Sequence, residues 1–342
     1  MLGSMRKDLD FKKPFIIAEI GGNHEGSLDY AKKLLIDAAE AGADAVKFQT
    51  YFPDHIVSKI EDPERHKHFA KFSLRIEDYF TLSELALEND VIFMSSIWDS
   101  ESLSIINDLV SIHKIGSGDL TNYPLIKKIV ETNKPLIISS AMATIEEIDE
   151  TVRFIEKENP EYIDSKKLGI LQCVAMYGEP NDSYANLNVI STLSKRFPKH
   201  IIGYSDHTIG SYAANIAVSL GAKILEIHFT DDKSREFRDH HISITGNELI
   251  NLRENIAKTL SLMGSNNKRP VAEIESKERI TEFRRSCYLN RDCLAGEIVT
   301  NENLTTLRPN KGIDAREYSK LLGRKLLVDK KAFESISWDD FD

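Results

Sequence analysis

The chain has 342 residues, of which 41% are hydrophobic and 29% are charged, a composition typical of globular proteins and unlike that of disordered or collagen-like chains. No run of about 18 apolar residues predicts a transmembrane helix, and residues 1–10 lack the apolar stretch of a secretory signal peptide. The 44 Lys and Arg residues against 54 Asp and Glu residues give a net charge of -10, without the basic runs that nucleic-acid-binding and membrane-surface proteins carry.

The cysteine content indicates the compartment. The three cysteines, Cys173, Cys287 and Cys293, form neither a CxxC pair nor a zinc-binding spacing. A sparse and odd number of cysteines is typical of proteins in a reducing environment. We therefore expect a cytoplasmic location.

Short apolar segments of strand character alternate with segments of helical periodicity up to residue 263. The strand-like segments are 15–21, 45–51, 91–96, 112–116, 135–141, 168–177, 201–205 and 224–230, and helical periodicity is clearest in 27–41, 144–158, 211–220 and 247–263. This alternation indicates parallel strands, and eight such units over about 250 residues are typical of an α/β protein with a (β/α)8 TIM barrel. An open, doubly wound sheet is the alternative, although no GxGxxG motif follows the first strand.

Two further segments bear on the domain organisation. Residues 52–76, rich in His, Arg and Lys, follow the second strand, and we expect a long loop there that is functional or mobile. Residues 264–270 are rich in turn formers. We therefore predict a barrel domain at 1–264, a linker at 265–283 and a small β-rich domain at 284–342. Because so small a core is marginal alone, we expect this second domain to pack against the barrel or a partner.

Polar or ionisable residues occupy nearly every strand end, where the active site of a parallel barrel lies. Lys47 and Lys114 belong to the second and fourth strands, and other strand ends carry the hydroxyl residues Ser96, Ser117, Ser139 and Ser205. A single inward lysine is commonly part of a structural ion pair. Two lysines with several hydroxyls suit phosphate and carboxylate groups, because lysine supplies a point charge and hydroxyls donate hydrogen bonds.

A pair of histidines indicates a metal site. His207 and His228 follow the seventh and eighth strands, which are neighbours in a barrel. Each alone is commonly a packing residue, but together they could bind one divalent metal, with waters or substrate oxygens as further ligands. Two histidines are too few for a closed structural zinc site, so we expect an open catalytic site. Glu226 shares a strand face with His228.

Several motifs together resemble those of the sialic acid synthases. They are FIIAEIGGNHEG at 15–26, VKFQT at 46–50, KIGSGD at 114–119, NYPL at 122–125, GYSDHT at 203–208 and ILEIHFT at 224–230. Residues 284–342 resemble the antifreeze-like (SAF) domain through Gly296-Glu297, Asn303-Leu304 and Arg308-Pro309. The resemblance covers nearly the whole chain and implies a TIM barrel followed by a small, β-rich SAF domain.

The resemblance implies a metal-dependent condensation of phosphoenolpyruvate with an N-acylated amino sugar such as N-acetylmannosamine. The products are a nine-carbon 2-keto-3-deoxy acid and, by C–O cleavage, phosphate. The lysines and serines named above would hold phosphoenolpyruvate, and His207 and His228 would hold Mn2+ or Mg2+, with Co2+ suited to the same ligands. Glu19 would orient water or move a proton. Sugar contacts are implied for Gln49, Asp119, Tyr177 and Asp239. Arg308 would reach the barrel site of the partner subunit in a domain-swapped homodimer.

Departures from the family's pattern cluster on the sugar side of the site. Asp119 stands where Glu is usual, Ser96-Ile97-Trp98 replaces Thr-Pro-Phe, Ala175 lacks an expected hydrogen-bonding side chain, and Arg238 adds a charge. We therefore expect the same reaction on an acceptor that leads to N-acetylneuraminate, legionaminate, pseudaminate or a relative of these. Arg238 would meet an acidic substituent or form a surface salt bridge.

Two other functions are alternatives. A phosphoenolpyruvate-dependent synthase for phosphorylated sugars, like the heptulosonate and octulosonate synthases, would need further arginines, which are not evident at the strand ends. A non-catalytic carbohydrate-binding protein would have no need of Lys47 and Lys114 together with His207 and His228. Phosphate release from phosphoenolpyruvate separates the synthases from a binding protein, and sugar 6-phosphates separate the two kinds of synthase.

Overall fold

The computed structural model describes residue 9 and residues 11–176, 179–236 and 239–342. The chain divides into two compact units, Met1–Gly264 and Ser265–Asp342. Tyr177 and Arg238, both singled out in the sequence, lie outside the described residues. Among the described helices, none combines the length and the apolar character that crossing a bilayer requires.

The first unit is a closed barrel of parallel strands arranged in chain order. The strands are β1 (Phe15–Glu19), β2 (Ala45–Thr50), β3 (Ile92–Ile97), β4 (His113–Ile115), β5 (Leu136–Ser139), β6 (Leu168–Cys173), β7 (Ile201–Asp206) and β8 (Ile224–His228). β8 closes the ring against β1 and sets His228 opposite Glu19. The predicted (β/α)8 TIM barrel is confirmed, and the open-sheet alternative is wrong, because an open sheet would leave two strand edges unpaired.

Helices connect the strands of this unit. They are α1 (Leu28–Glu40), α2 (Pro53–Ile56), α3 (Pro63–Phe72), α4 (Ile76–Glu88), α5 (Ser100–Ile106), α6 (Tyr123–Glu131), α7 (Ile145–Glu158), α8 (Val189–Arg196), α9 (Tyr212–Ser219) and α10 (Gly246–Met263). Ser27 caps α1 by accepting a hydrogen bond from the Tyr30 amide, and Thr144 and Glu147 form a capping box at α7. Both helices bury one apolar face, which is why their periodicity is visible in the sequence.

The segment 52–76 differs from the predicted loop. It contains α2 and α3, each of which begins with proline at its first helical position. Asp62 caps α3 by accepting from the Arg65 amide. Phe69 is the buried residue of α3. Because a helix with one buried residue has no apolar periodicity, the sequence pattern could not reveal it.

Apolar side chains fill the amino-terminal part of the barrel interior. These residues are Leu9, Phe15, Ile17, Ala45, Met94, Ile112, Ile137, Leu171 and Ile224. The packing is so close at Gly203 that a Cβ atom there would lie 2.5 Å from the Ile224 carbonyl oxygen, which is why glycine is needed on this strand. Since this part of the interior is apolar, polar inward residues are confined to the later positions of the strands.

The second unit is small and β-rich. It contains α11 (Lys277–Phe283), the antiparallel pair β9 (Ser286–Leu289) and β10 (Leu304–Leu307), and α12 (Tyr318–Leu321). Its core residues are Cys287, Leu289, Cys293, Val299, Leu304, Ile313, Leu321, Leu326, Ile336 and Phe341. α11 falls within the segment 265–283 that the sequence predicts as a linker.

Candidate active site

Side chains from all eight strand ends surround a cavity of about 650 Å³ at the carboxyl-terminal end of the barrel. A parallel barrel brings these positions together because all its strands end at the same rim. The lining includes most of the predicted site residues, namely Glu19, Lys47, Gln49, Ser96, Lys114, Ser117, Asp119, Ser139, Ser205, His207 and His228.

Two lysines occupy the floor of the cavity. Lys47 Nζ forms an ion pair with Glu19, donates to Ser96 Oγ at 2.9 Å and lies 3.7 Å from Glu226 Oε2. Lys114 Nζ donates to Ser139 Oγ at 2.7 Å and lies 3.7 Å from Glu226 Oε1. Each lysine side chain is at most 3% exposed. Glu226 therefore faces both lysines and couples them electrostatically.

The carboxylates are fixed by their neighbours. Gln49 Nε2 donates to Glu19 Oε1 at 2.9 Å, and Ser205 Oγ donates to Glu226 Oε1 at 3.0 Å. Gly21 has φ of +52°, and a Cβ atom there would lie 2.9 Å from Glu19 Oε1. Glycine is therefore required on two grounds, its positive φ and the space beside the carboxylate.

Burial and charge separate the pKa values of the two carboxyl groups. Burial raises the pKa of Glu19, although Lys47 opposes the shift. Burial would also raise the pKa of Glu226, but Lys114 and Lys47 outweigh it and lower that pKa to about 2. Burial lowers the pKa of Lys114, against the attraction of Glu226. Glu226 is thus the permanent anion of the cluster, and Glu19 is the group more ready to carry a proton.

The floor of the cavity offers hydrogen-bond donors to an anion but no net positive charge. With all four groups ionised, Glu19, Lys47, Lys114 and Glu226 sum to zero charge. Because the oxygens of Ser96 and Ser139 accept from the lysines, their hydroxyl hydrogens remain able to donate to a ligand. A multiply charged anion bound here would still need additional positive charge or a proton, since an uncompensated charge is costly in a buried site.

The two histidines lie side by side at the rim of β7 and β8. The ring centroids of His207 and His228 are 4.8 Å apart, with the planes at 66°. His228 Nδ1 lies 3.4 Å from the Asp206 carbonyl oxygen, and Asp206 Oδ1 accepts from the Thr208 amide at 2.8 Å, which fixes the turn that carries His207. Burial, and secondarily His228, lower the pKa of His207 to about 3. The ring is therefore neutral, as a metal ligand must be.

These residues fit an open metal site. Among the residues that the structure describes, no group of three or more His, Cys, Asp or Glu side chains is arranged to hold a metal ion. Cys173 Sγ lies 3.6 Å from His207 Nδ1, but burial raises the pKa of this thiol to about 11, so it is a poor ligand at neutral pH. A divalent metal here would have the two imidazoles as its protein ligands, and water or substrate oxygens would complete its coordination.

Two further predicted site residues, Ser117 and Asp119, lie in the loop that follows β4. Asp119 is half-buried and accepts from Asn122 Nδ2 at 3.2 Å, and burial raises the pKa of its carboxyl group. Ser117 Oγ accepts from the Ala141 amide at 2.9 Å, so this serine links the loop after β4 to the loop after β5.

The remaining predicted residues are elsewhere. Asp239 is buried and is not on the cavity lining; its carbonyl oxygen accepts from Ser243 Oγ at 2.6 Å. Asn23 donates to Ser243 Oγ at 3.0 Å, which connects this loop to the end of β1. Arg308 is an exposed residue of the second unit, and its Nε donates to the Phe283 carbonyl oxygen at 2.7 Å. Tyr177 lies outside the described residues.

Sequence reasoning gave no role to several residues on the lining. Glu226 shares the inward strand face with His228, and this spacing of two residues is the sequence signal that points to its place in the site. Arg65 and Phe69 lie on the lining because α3 reaches it, and no strand pattern predicts them. Cys173 and Asn122 also contribute.

Comparison with known proteins agrees with this geometry. The model of the NeuB family matches residues 34–268, and the SAF domain model matches residues 284–342. The chain belongs to the NeuB family. The predicted resemblance to the sialic acid synthases, and the SAF domain at the carboxyl terminus, are therefore confirmed.

Relatives in the NeuB family are similar to this chain over nearly their whole length. An N,N'-diacetyllegionaminic acid synthase from Legionella pneumophila is 36% identical, with 96% of this chain and 94% of that protein covered. A pseudaminic acid synthase from Helicobacter pylori is 32% identical, with 96% and 98% covered. The crystal structure of an N-acetylneuraminic acid synthetase from Leptospira borgpetersenii, in complex with citrate, is 30% identical with a TM-score of 0.71, covering 78% of this chain and 90% of that one.

Proposed function

We propose that this NeuB-family chain is an alkyl-transferring synthase that condenses phosphoenolpyruvate with an N-acylated amino sugar and water. The products would be a nine-carbon 2-keto-3-deoxy acid and phosphate. The observation that carries the proposal is the buried pair of lysines, bridged by Glu226, on the floor of a cavity that is also lined by His207 and His228. A carbohydrate-binding module would have no use for such a floor, because burying four ionisable side chains is costly.

Lys47 and Lys114 would bind the phosphate and carboxylate of phosphoenolpyruvate as point charges. The hydroxyls of Ser96 and Ser139 lie within hydrogen-bond distance of the two lysines, so they would donate to the same oxygens. Ser117 and Ser205 line the same cavity and would complete the polar surface around the substrate. These side chains would hold phosphoenolpyruvate with its C3 atom facing the acceptor. Holding the reactants in this orientation reduces the entropy cost of a reaction between two molecules.

His207 and His228 would hold a divalent metal, Mn2+ or Mg2+, with Co2+ suited to the same ligands. When bound, the metal would polarise the open-chain aldehyde of the sugar as a Lewis acid. The electrostatics of the cavity support a bound cation, because the floor has no net charge when fully ionised and phosphoenolpyruvate brings more than one negative charge. A dication near this floor would supply the missing positive charge.

Glu19 would act on the water. In the overall step, C3 of phosphoenolpyruvate forms a bond to the aldehyde carbon, and the aldehyde oxygen gains a proton. Water adds to C2 and gives up both of its protons, one to the aldehyde oxygen and one to the leaving phosphate. The C2–O bond of the phosphate ester breaks as phosphate leaves with the bonding electrons, and the water oxygen becomes the 2-keto oxygen. Glu19 lies on the floor beside Lys47, and burial raises the pKa of its carboxyl group, which favours a group that accepts and returns a proton.

The acceptor sugar would lie towards the cavity mouth. Gln49 and Asp119 are on the lining and offer an amide and a carboxylate for sugar hydroxyls. Tyr177 and Asp239 are proposed as further sugar contacts from the resemblance to the sialic acid synthases. On the same ground we propose a domain-swapped homodimer, in which Arg308 reaches the barrel site of the partner subunit. Exposure of Arg308 supports a role outside its own unit.

A cytoplasmic location completes the proposal. The three cysteines are free and buried, as in proteins of a reducing compartment.

The test is phosphate release from phosphoenolpyruvate with Mn2+, over a panel of acceptors with and without EDTA. The panel contains N-acetylmannosamine, 2,4-diacetamido-2,4,6-trideoxymannose, mannose and N-acetylmannosamine 6-phosphate. We expect release that needs both an N-acylated acceptor and the metal. Lys114→Met should abolish it, whereas Lys127→Met, which removes an exposed lysine paired with Glu158, should not. Release with the phosphorylated sugar alone would favour the second kind of synthase, and no release together with no binding of phosphoenolpyruvate would refute the proposal.

A further inference from the structure

One wall of the cavity mouth is aromatic and ends in a cation. Phe69 of α3 packs edge-on against Trp98, with ring centroids 5.5 Å apart, and Tyr51 stacks on the same indole at 5.0 Å. The Arg65 guanidinium lies 5.7 Å from the Phe69 ring centroid. Arg65, Phe69 and Trp98 all line the cavity, and together we call them the outer wall. The proposed chemistry on the cavity floor leaves this wall without a role.

Arg65 is in a costly position for a cation. It lies in the first turn of α3, one turn from the cap residue Asp62, where the helix dipole disfavours positive charge. In the described part of the chain, no carboxylate oxygen lies within 4.0 Å of its guanidinium; Glu64, its neighbour, pairs with Lys67 at 2.8 Å. The guanidinium is exposed and keeps its donors available to a ligand at the cavity mouth.

The charges around the outer wall favour a neutral ligand group over an anion. Asp119 lines the cavity with a carboxyl group, and His55, a further basic side chain of the lining, lies 3.5 Å from Asp99 and 3.7 Å from Glu101. An anion at Arg65 would gain the charge of one guanidinium, whereas His55 already faces two carboxylates and Asp119 adds a further carboxyl group to the lining. An acyl group has what the wall can recognise, because its carbonyl oxygen accepts from guanidinium and its methyl packs on aromatic faces.

The order of the strands in the barrel indicates which part of the acceptor could reach the outer wall. Trp98 follows β3, and His207 follows β7, four strands away in the closed ring of eight. The outer wall therefore lies across the mouth from the histidines. A sugar whose aldehyde carbon is at the histidines would present a carbon far from the aldehyde to the outer wall.

We propose that the outer wall is a specificity subsite for a second acylamino substituent, remote from the aldehyde carbon of the acceptor. Arg65 donates to the carbonyl oxygen of that substituent, and its methyl group packs on Trp98 and Phe69. The inference rests on the proposed synthase function. It makes this chain selective for doubly acylated acceptors over those with a hydroxyl at the remote carbon.

The test compares two acceptors that differ at one substituent, 2,4-diacetamido-2,4,6-trideoxymannose and 2-acetamido-2,6-dideoxymannose, in the phosphate-release assay. For Arg65→Met we expect the KM of the doubly acylated acceptor to rise about ten- to hundredfold, and kcat, the KM of phosphoenolpyruvate and the KM of the hydroxyl analogue to change less than about twofold. Arg65→Lys keeps the positive charge but loses the planar guanidinium with its fixed set of donors. It should therefore recover part of the affinity that Arg65→Met loses. Lys67→Met, on the same helix but off the lining, is the matched control and should match the wild type.

Three outcomes would overturn the subsite. Arg65→Met could leave the KM values of the two acceptors unchanged, or it could raise both of them equally. Either result would show that Arg65 has no role specific to the second acyl group. With N-acetylmannosamine 6-phosphate as a third acceptor, a KM increase confined to this phosphorylated sugar would assign Arg65 to an anion instead. Wild-type protein that releases phosphate with no acceptor would refute the synthase itself, and that result is separate from any effect of Arg65.

Discussion

Glu226 Oε1 lies 3.7 Å from Lys114 Nζ, although the two residues belong to strands on opposite sides of the ring. β4 and β8 are four strands apart in the closed order, so this pair spans the barrel interior. Glu226 is also the residue that faces Lys47. The relationship explains how two buried ammonium groups are held together before any substrate binds, since each faces the same carboxylate.

We predict that Glu226→Gln lowers the free energy of unfolding by about 3 kcal/mol without ligand, because two buried lysines lose their shared counter-charge. The amide keeps the size of the side chain. Phosphoenolpyruvate or inorganic phosphate should then stabilise the variant more than the wild type, as an anion replaces the lost charge. Urea unfolding with and without ligand measures both effects. Glu254→Gln, on the exposed face of α10, is the control, and equal ligand stabilisation in all three proteins would contradict the prediction.

The pH dependence of stability should carry a contribution from His113, which is fully buried in β4. Burial, and secondarily Lys134, lower the pKa of His113 from 6.5 to about 3. The unfolded chain therefore takes up a proton as the pH falls below 6.5 while the folded protein does not, so stability falls between pH 6.5 and about 3.

A variant isolates that contribution. In His113→Asn the fall in unfolding free energy over this pH range should be shallower by up to about 1.4 kcal/mol per pH unit. Urea unfolding at a series of pH values measures the slope. His68→Asn removes an exposed histidine of α3 and should keep the wild-type slope; a His113→Asn slope equal to the wild type would show that this histidine does not titrate differently on unfolding.

Metal binding should depend on both rim histidines. We expect His207→Ala and His228→Ala each to weaken Mn2+ binding at least about tenfold, since each removes one of two protein ligands. Isothermal titration calorimetry of the metal alone, with no substrate present, gives the affinity. His200→Ala is the matched control, because His200 is buried beside Glu156 and is off the cavity lining. Wild-type affinity in either rim variant would exclude the pair as the metal site.

Subunit mixing tests the domain-swapped dimer. Arg308→Ala has an intact barrel floor, and Lys47→Met has an intact Arg308, so each should be inactive alone. If Arg308 acts on the partner's barrel, an equimolar mixture after subunit exchange should recover about a quarter of wild-type activity, because half of the dimers are mixed and each has one complete site. No recovery despite mass-spectrometric evidence of mixed dimers would show that Arg308 does not act in the partner's site.

The barrel and much of its floor could be predicted because their signals are local. Strand and helix periodicity depends on burial of one face, and inward lysines and histidines at strand ends are read from the alternation of side chains. Residues 52–76 could not be predicted in the same way. α3 buries only Phe69. The helix that brings Arg65 to the cavity therefore shows no periodic pattern of apolar residues in the sequence.

The amino-acid order was enough to establish eight strand–helix units, the ends of the strands that bear Lys47, Lys114, His207 and His228, and the resemblance of the motifs to one family. It could not establish that Glu226 faces both lysines, that Glu19 and Glu226 have opposite pKa shifts, or that Arg65 and Trp98 share a wall. Those properties depend on distances across a closed ring and on exclusion of water, and both arise only when strands far apart in the chain meet in the folded barrel.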